Sequence, residues 1–431
     1  LNNVDVVPNT QRVQAATDGG AFEFSTFGGA ADVRGTGAVT SYVSEREPGT
    51  GWTVHGINPP QTSQRLISFL YGGEASYVGE FTPSLSKGIF YSVSPVNAEG
   101  PTVSEIRNLY RREDVLRPGP GSYRLLSDSV IQQALGKLEE FRAVTLVAGS
   151  TDLSHVVFET QRDLTTETVG LEEGWRVYEW VGGEVRLASV LPASQGGGPT
   201  FAQAGQGRRM YPQGTVSANG SRVLFSAYAR TADILHLANI GLYMRDDHET
   251  LDPADDTTVK VSASEKTNGG GPGGRDPAGE QPATFWAASS DLSQVFFTST
   301  EALTDDAPTD EPAAEKLYRY NLDAPAGSRL TLLSVDRDPE DGVDDGVEGV
   351  IGASANGSYV YFVAPSQLVP GLPGGSGPRI FVWHQGQIHE VAPLADSTEA
   401  AEVTGANGWY AAFKSARVSA DGRHLAFVSG A

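Results

Sequence analysis

Residues 418–429 read VSADGRHLAFVS, and this stretch decides the fold. Its polar part, centred on Asp421 and Gly422, has the composition of a tight turn, because Asp-Gly pairs readily adopt the positive φ that primed hairpin turns require. The apolar part that ends at Phe427 suits a β-strand. We therefore predict a β-hairpin, in which strand A precedes a primed turn and strand B follows it.

The same unit recurs along the chain. Its Asp or Asn stands at positions 18, 152, 219, 291, 356 and 421, and a degenerate copy places Lys87 there. The successive separations are 69, 65, 67, 72, 65 and 65 residues, which is a period of about 67. A period held over a whole chain indicates a repeat architecture.

Two further strand-like segments follow each hairpin. Strand C is predicted at residues 41–45, 109–113, 177–180, 242–246, 317–321 and 380–384, each rich in aromatic and aliphatic residues. Strand D is predicted at residues 52–55, 123–127, 184–190, 258–262, 329–334 and 387–392. Repeated units of four antiparallel strands are typical of a β-propeller.

The turn motif followed by a Phe-containing strand B and an Ile/Leu-Tyr strand C resembles the WD40-like or TolB-like propeller repeat, often called PD40. The resemblance covers nearly the whole chain. It implies an all-β fold made of four-stranded antiparallel blades. It does not imply one activity, because a fold of this kind carries many functions.

We expect one propeller domain over residues 1–431. The repeat units are about 10–74, 75–142, 143–210, 211–282, 283–347, 348–408 and a partial unit at 409–431. Six complete units and a partial seventh favour seven blades, with six or eight as alternatives. Strand 4–7 could complete the last blade, or the native chain could continue past Ala431.

Composition excludes several classes of function. The net charge of −22 opposes nucleic-acid binding, and the absence of Cys excludes disulfides and Cys-bound metals. No apolar run has the roughly 18 residues of a membrane span. Since the chain begins at Leu1 rather than Met, we expect a processed N-terminus. We also expect a bacterial protein that is extracellular or at the cell surface.

The long connections fall between strands B and C and between strands D and A, which emerge on one face of a propeller. Long loops on a rigid scaffold are where binding usually occurs. The sequence therefore favours a non-catalytic scaffold that binds a protein or a glycan through this face. The candidate contact residues are Phe201, Arg208, Arg209, Tyr211, Trp409 and Tyr410. The Gly-rich run 269–274 within one of these loops is expected to be mobile.

One acidic loop has the composition of a calcium site, since Ca²⁺ takes several carboxylate oxygens. Its candidate ligands are Asp336, Asp338, Glu340, Asp341, Asp344 and Asp345. The glycine and the final Glu of this loop each stand one residue later than their equivalents in an EF-hand loop. A solvated acidic loop that binds no calcium is therefore the alternative. No other cofactor is expected.

No catalytic residues are assigned. The chain has no Gly-x-Ser-x-Gly motif, and among its histidines only His384 and His389 have a spacing that merits a zinc hypothesis. Two alternatives to the binding scaffold remain open. One is a secreted hydrolase or lyase that acts on a polysaccharide, and the other is a self-associating extracellular structural subunit.

Overall fold

The computed structural model describes residues 14–27, 39–49, 51–59, 78–92, 96, 108–128, 144–172, 174–205, 214–230, 237–309, 314–335, 346–365, 368–370, 377–405 and 414–428. The chain divides into two compact units, Leu1–Ala188 and Ser189–Ala431. Among the described residues, no helix has both the length and the apolar character needed to cross a membrane.

The first unit contains three antiparallel sheets. The strands of the first sheet are β1 (Ala21–Phe27), β2 (Val39–Glu47) and β3 (Gly51–Gly56). The second sheet contains β4 (Val78–Phe81), β5 (Gly88–Ser92), β6 (Asn108–Arg112) and β7 (Tyr123–Leu125). The third contains β8 (Thr145–Gly149), β9 (His155–Thr160), β10 (Arg176–Val181) and β11 (Glu184–Leu187).

The second unit repeats this arrangement. The fourth sheet contains β12 (Phe201–Ala204), β13 (Arg222–Arg230), β14 (Leu237–Asp246) and β15 (Thr257–Lys260). The fifth contains β16 (Ala283–Ala288), β17 (Gln294–Ser299), β18 (Lys316–Asn321) and β19 (Leu330–Leu332). The sixth contains β20 (Gly349–Ala353), β21 (Tyr359–Ala364), β22 (Arg379–His384) and β23 (Gln387–Pro393). Helix α1 (Ser397–Thr404) precedes β24 (Ala416–Val418) and β25 (Leu425–Phe427) of the seventh sheet.

The strands of every sheet pair in sequence order, so each sheet is an antiparallel meander, and five of the sheets have four strands. The prediction of an all-β chain built from four-stranded antiparallel sheets is therefore confirmed. Strands B and C stand at the centre of the four-stranded sheets and pair as β1 and β2 in the first sheet, and aromatic residues on them face each other directly. These cross-strand pairs are Phe24–Tyr42, Phe158–Tyr178, Phe225–Tyr243, Phe297–Tyr318 and Phe362–Phe381, all with stacked rings. Such pairs contribute beyond the burial of their area.

The apolar core lies between consecutive sheets. Leu224 of the fourth sheet belongs to one cluster with Phe285 of the fifth. Phe296 of the fifth sheet packs in the same way with Val360 of the sixth. Because full burial of one such side chain contributes about 1.5–3 kcal/mol, packing between sheets is a main source of stability.

The A–B turn differs from the prediction. In each copy the N–H of the fourth motif residue donates to the carbonyl of the first, as Gly422 does to Ser419 at 2.9 Å. Only that fourth residue has positive φ among the turn residues, whereas a primed I′ turn needs two. The prediction of a primed turn is wrong, because a four-residue loop with one left-handed residue joins the strands instead.

The second copy also has a different phase from the one predicted. The N–H of Leu85 donates to the carbonyl of Thr82 at 2.9 Å, so Ser84 rather than Lys87 occupies the Asp position. The separations on either side become 66 and 68 residues, closer to the period than before. Leu85, Leu153 and Leu292 all replace the turn glycine with φ of 56°. Each of these leucines is buried, and that burial offsets the cost of a left-handed conformation.

The turns of neighbouring sheets are joined by backbone hydrogen bonds. In the second unit Ala218 donates to Ser290, Ser290 to Ala355 and Ala355 to Ala420, at 2.7, 2.7 and 2.8 Å. In the first unit Thr17 donates to Pro83 at 2.9 Å. The second motif residue therefore links one sheet to the next, a role that the single-repeat pattern did not indicate.

Candidate functional site

The meander topology places the B–C and D–A loops at one end of each sheet, which we call the loop side. The short A–B and C–D turns lie at the other end, the turn side. The described loops of the loop side include residues 161–172 in the first unit and residues 264–282 and 300–309 in the second.

In the first unit, the B–C loop of the third sheet is held by side chains from strand β10. The Arg176 guanidinium donates to the carbonyl of Glu172 at 2.6 Å, and the Tyr178 hydroxyl donates to the carbonyl of Arg162 at 2.9 Å. This anchored loop exposes two apolar side chains, Val169 and Leu171, which are 51% and 43% exposed. The loop thus presents an apolar surface on a backbone that hydrogen bonds tie to strand β10.

In the second unit, the D–A loop 264–282 is docked on the B–C loop 300–309. The Lys266 ammonium is buried and donates to the carbonyls of Thr304 and Ala307 at 3.1 and 3.4 Å. Asp305 accepts hydrogen bonds from the backbone of Thr267 and Asn268 at 2.6 and 3.0 Å and from the Thr267 hydroxyl at 2.7 Å. These bonds lower the pKa of Asp305.

Carboxyl groups hold the far end of the same loop. Asp276 accepts from the backbone N–H groups of Ala278 and Ala302 at 2.8 and 2.6 Å. Glu301 accepts from the N–H of Gln281 at 3.0 Å, and burial raises the pKa of Glu301. Polar anchors thus hold the loop on both sides of the Gly-rich run, and the expectation that this run is mobile stays a prediction.

Of the predicted contact residues, Phe201 lies within the described part of the chain. Phe201 lies in strand β12 opposite Tyr228 and is half-buried. The other predicted contact residues, Arg208, Arg209, Tyr211, Trp409 and Tyr410, lie outside the described residues, as do all the candidate calcium ligands, Asp336, Asp338, Glu340, Asp341, Asp344 and Asp345. Those assignments stay predictions.

The two histidines considered for zinc do not face each other. His384 pairs with Gln387 across the C–D turn, whereas His389 pairs with Val382. The Nδ1–H of His384 donates to the carbonyl of Ser358 at 2.9 Å. His384 is thus tied to its own sheet.

Sequence reasoning missed the groups that anchor the loops. One signal was available, since a basic residue begins strand C at Arg176, Lys316 and Arg379. Lys316 donates to the carbonyls of Thr300 and Ala314 at 3.0 and 3.1 Å, and so closes the B–C loop of the fifth sheet. The cation at this position contacts loop carbonyls at Arg176 and Lys316, whereas Arg379 pairs with Glu390.

No family model matches the sequence, and no curated protein matches it. Solved structures with a similar backbone include the putative TolB of Agrobacterium tumefaciens, at 14% identity and a TM-score of 0.30, covering 74% of this chain and 80% of that one. Prolyl oligopeptidase B of Galerina marginata is 10% identical with a TM-score of 0.42, covering 91% and 44%. The GH74 enzyme of Niastella koreensis is 13% identical with a TM-score of 0.33, covering 90% and 46%. The chain spans less than half of the last two proteins, and likenesses this distant say nothing about activity.

Proposed function

We propose that the protein is a non-catalytic binding scaffold, which engages a protein or a glycan through its loop side. The observation that carries this proposal is the anchored loop of the third sheet, which holds Val169 and Leu171 in solvent. A loop ordered before binding loses little conformational entropy on association, and exposed apolar side chains supply the buried area. This combination favours a protein partner over a glycan.

Two acidic groups of the loop side support a non-catalytic role. Both carboxylate oxygens of Asp276 are bonded to backbone N–H groups, and Glu301 is bonded to another. Carboxylates used in this way stabilise the loop. We further propose that the repeated sheets form a seven-bladed propeller and that the protein acts outside the bacterial cell or at its surface.

The test is a binding screen of the whole chain against purified extracellular and cell-surface proteins and against a glycan array. The double variant Val169→Asp/Leu171→Asp should lose the protein ligand, because both anchors become charged. Val391→Asp is the matched control, since Val391 is 41% exposed on strand β23 and lies outside the loop. Retention of the ligand by the double variant, or cleavage of a screened polysaccharide, would contradict the proposal.

We also propose that residues 336–345 bind calcium. Chelation should then lower the melting temperature, and added Ca²⁺ should restore it, because a ligand that binds only the folded state stabilises it. A control chain with Asp336, Asp338 and Asp344 changed to Asn should not respond. An unchanged melting temperature of the wild type would end the calcium hypothesis.

A further inference from the structure

A cleft of about 660 Å³ opens on the turn side of the second unit, between the sixth sheet and the hairpin of β24 and β25. The side chains that line it include Asn356, Tyr359, His384, Asp421 and Arg423. Asn356, Asp421 and Arg423 are exposed, whereas Tyr359 and His384 are half-buried.

One residue pair beside this cleft differs from the equivalent pairs of the two preceding sheets. The first residue of strand B and the last residue of strand C face each other in the fourth, fifth and sixth sheets. In the fourth sheet this pair is an ion pair, Arg222–Asp246 at 2.8 Å, and Arg222 also donates to the carbonyl of Asp291 in the next sheet.

In the fifth sheet the same position holds a hydrogen bond between Gln294 and Asn321, at 2.7 Å. In the sixth sheet it holds Tyr359 and His384, whose rings stack 3.8 Å apart and within 5° of parallel. The fourth and fifth sheets thus place paired polar side chains at this position. The sixth sheet places an aromatic pair there, and this pair borders the cleft.

The polar groups around the aromatic pair keep hydrogen-bonding capacity. Asn356 uses Oδ1 to accept from Ser354 and Ser358, and among the described residues its Nδ2 has no partner. The equivalent Asn219 donates its Nδ2 to Glu249 at 2.7 Å. Because Nδ1 of His384 is committed to Ser358, its Nε2 remains as an acceptor in the neutral ring.

Two charges of opposite sign complete the lining. Asp421 accepts on Oδ1 from the Ser419 hydroxyl at 2.6 Å and from the N–H of Arg423 at 3.1 Å, which leaves Oδ2 as an acceptor. The Arg423 guanidinium, on an exposed side chain, adds donors. With one carboxylate and one guanidinium, the cleft has no net charge and gives no preference to an anion or a cation.

We propose that this cleft binds a neutral, hydroxyl-rich ligand, a saccharide unit, by stacking against the Tyr359–His384 pair and by hydrogen bonds to Asn356, Asp421 and Arg423. Each sugar hydroxyl is both a donor and an acceptor, so adjacent hydroxyls match a carboxylate oxygen beside a guanidinium. The C–H face of a pyranose ring is apolar and suits an aromatic surface. Ligand sites commonly combine an apolar wall with a few placed polar groups.

The test uses three neutral probes, namely the trimers of β-1,4-linked glucose, β-1,3-linked glucose and N-acetylglucosamine. Saturation-transfer NMR and titration of the whole chain should detect at least one of them. Arg423→Ala should weaken binding about tenfold, equivalent to ~1.4 kcal/mol, and His384→Ala by at least as much. Arg417→Ala is the matched control, because Arg417 is an exposed arginine of the same hairpin and does not line the cleft.

Three outcomes would overturn the proposal. The first is that no probe binds at about 10 mM, well above a ~1 mM Kd. The second is equal binding by wild type, Arg423→Ala and His384→Ala. The third is preferential binding of a charged peptide at the cleft. The Val169→Asp/Leu171→Asp variant should bind the sugar normally, so this site can fail or succeed independently of the loop-side function.

Discussion

Glu23 is a buried carboxyl at a position where the other copies have apolar residues. Four residues after the left-handed turn residue, the later copies place Ile89, Val157, Leu224, Phe296, Tyr361 and Ala426. Glu23 is only 1% exposed, the Ser25 hydroxyl donates to its Oε1 at 3.3 Å, and its Oε2 has no partner within the described part of the chain. Burial raises its pKa from the ordinary 4.5 to about 8, and the Ser25 bond opposes this only partly.

This raised pKa predicts a loss of stability as the pH increases. Between pH 4.5 and about 8 the unfolded state releases the Glu23 proton while the folded state keeps it, so the free energy of unfolding falls with pH. Glu23→Gln should remove this dependence and stabilise the protein at pH 8 by more than ~1.4 kcal/mol, the value of one pKa unit. Denaturant unfolding at pH 5 to 8 measures it. An equal slope in both proteins would show that Glu23 is not the group responsible.

Gly422 combines positive φ with close packing. Its φ is 74°, and a Cβ there would lie 2.6 Å from Cβ of Tyr359 and 2.7 Å from Cβ of Ser354. Gly422→Val should lower the free energy of unfolding by about 1–3 kcal/mol. Gly327→Val is the control, because Gly327 has φ of 83° but open space around it, so that variant has backbone strain without a clash. Equal melting temperatures for the two variants would mean that the contact with Tyr359 adds nothing.

At the scale of elements, the strands could be predicted and the loop conformations could not. Aliphatic and aromatic residues identify strands such as β14 and β18 locally, since each contains a Leu-Tyr pair. The anchor of a loop is not local, since Asp305 and Thr267 are 38 residues apart. The second copy was placed out of phase because Thr82, Ser84 and Leu85 lack both the Asp and the Gly of the motif.

The docked loop 264–282 should be released by removing one side chain. Asp305→Ala eliminates the three hydrogen bonds that the Asp305 carboxylate accepts from Thr267 and Asn268, and leaves the bond from Asn268 Nδ2 to the Asp305 carbonyl. Trypsin should then cut after Arg275, which is 54% exposed, several-fold faster than in the wild type. Asp255→Ala, which alters an exposed aspartate of a short turn, should not change the rate. Equal cleavage of Asp305→Ala and wild type would show that the remaining contacts, among them those of Lys266 and Asp276, suffice to hold the loop.

At the scale of the whole chain, the sequence period indicated that the copies belong together, but it did not show how one sheet is connected to the next. A sequence period shows only the residues that the copies share. The hydrogen bond between sheets is made by backbone atoms of the second motif residue, and the identity of that residue varies among Thr17, Ala218, Ser290 and Ala355. The cleft beside Tyr359 escaped prediction for the opposite reason, because it depends on a difference between copies.

The turn-to-turn hydrogen bonds predict a specific pattern of amide exchange. Exposed turn amides normally exchange fast, since they open without unfolding a sheet. Ser290 and Ala355 are exposed, yet their N–H groups donate to the next sheet at 2.7 and 2.8 Å, so they should be protected about as well as strand amides. Asn219 and Asn356 in the same kind of turn serve as controls, because among the described residues no carbonyl accepts from their N–H groups. Similar exchange rates for all four amides would show that neighbouring sheets open independently at their turns. Slow exchange confined to Ser290 and Ala355 would mean that two sheets separate only when a hydrogen bond of the repeat motif breaks.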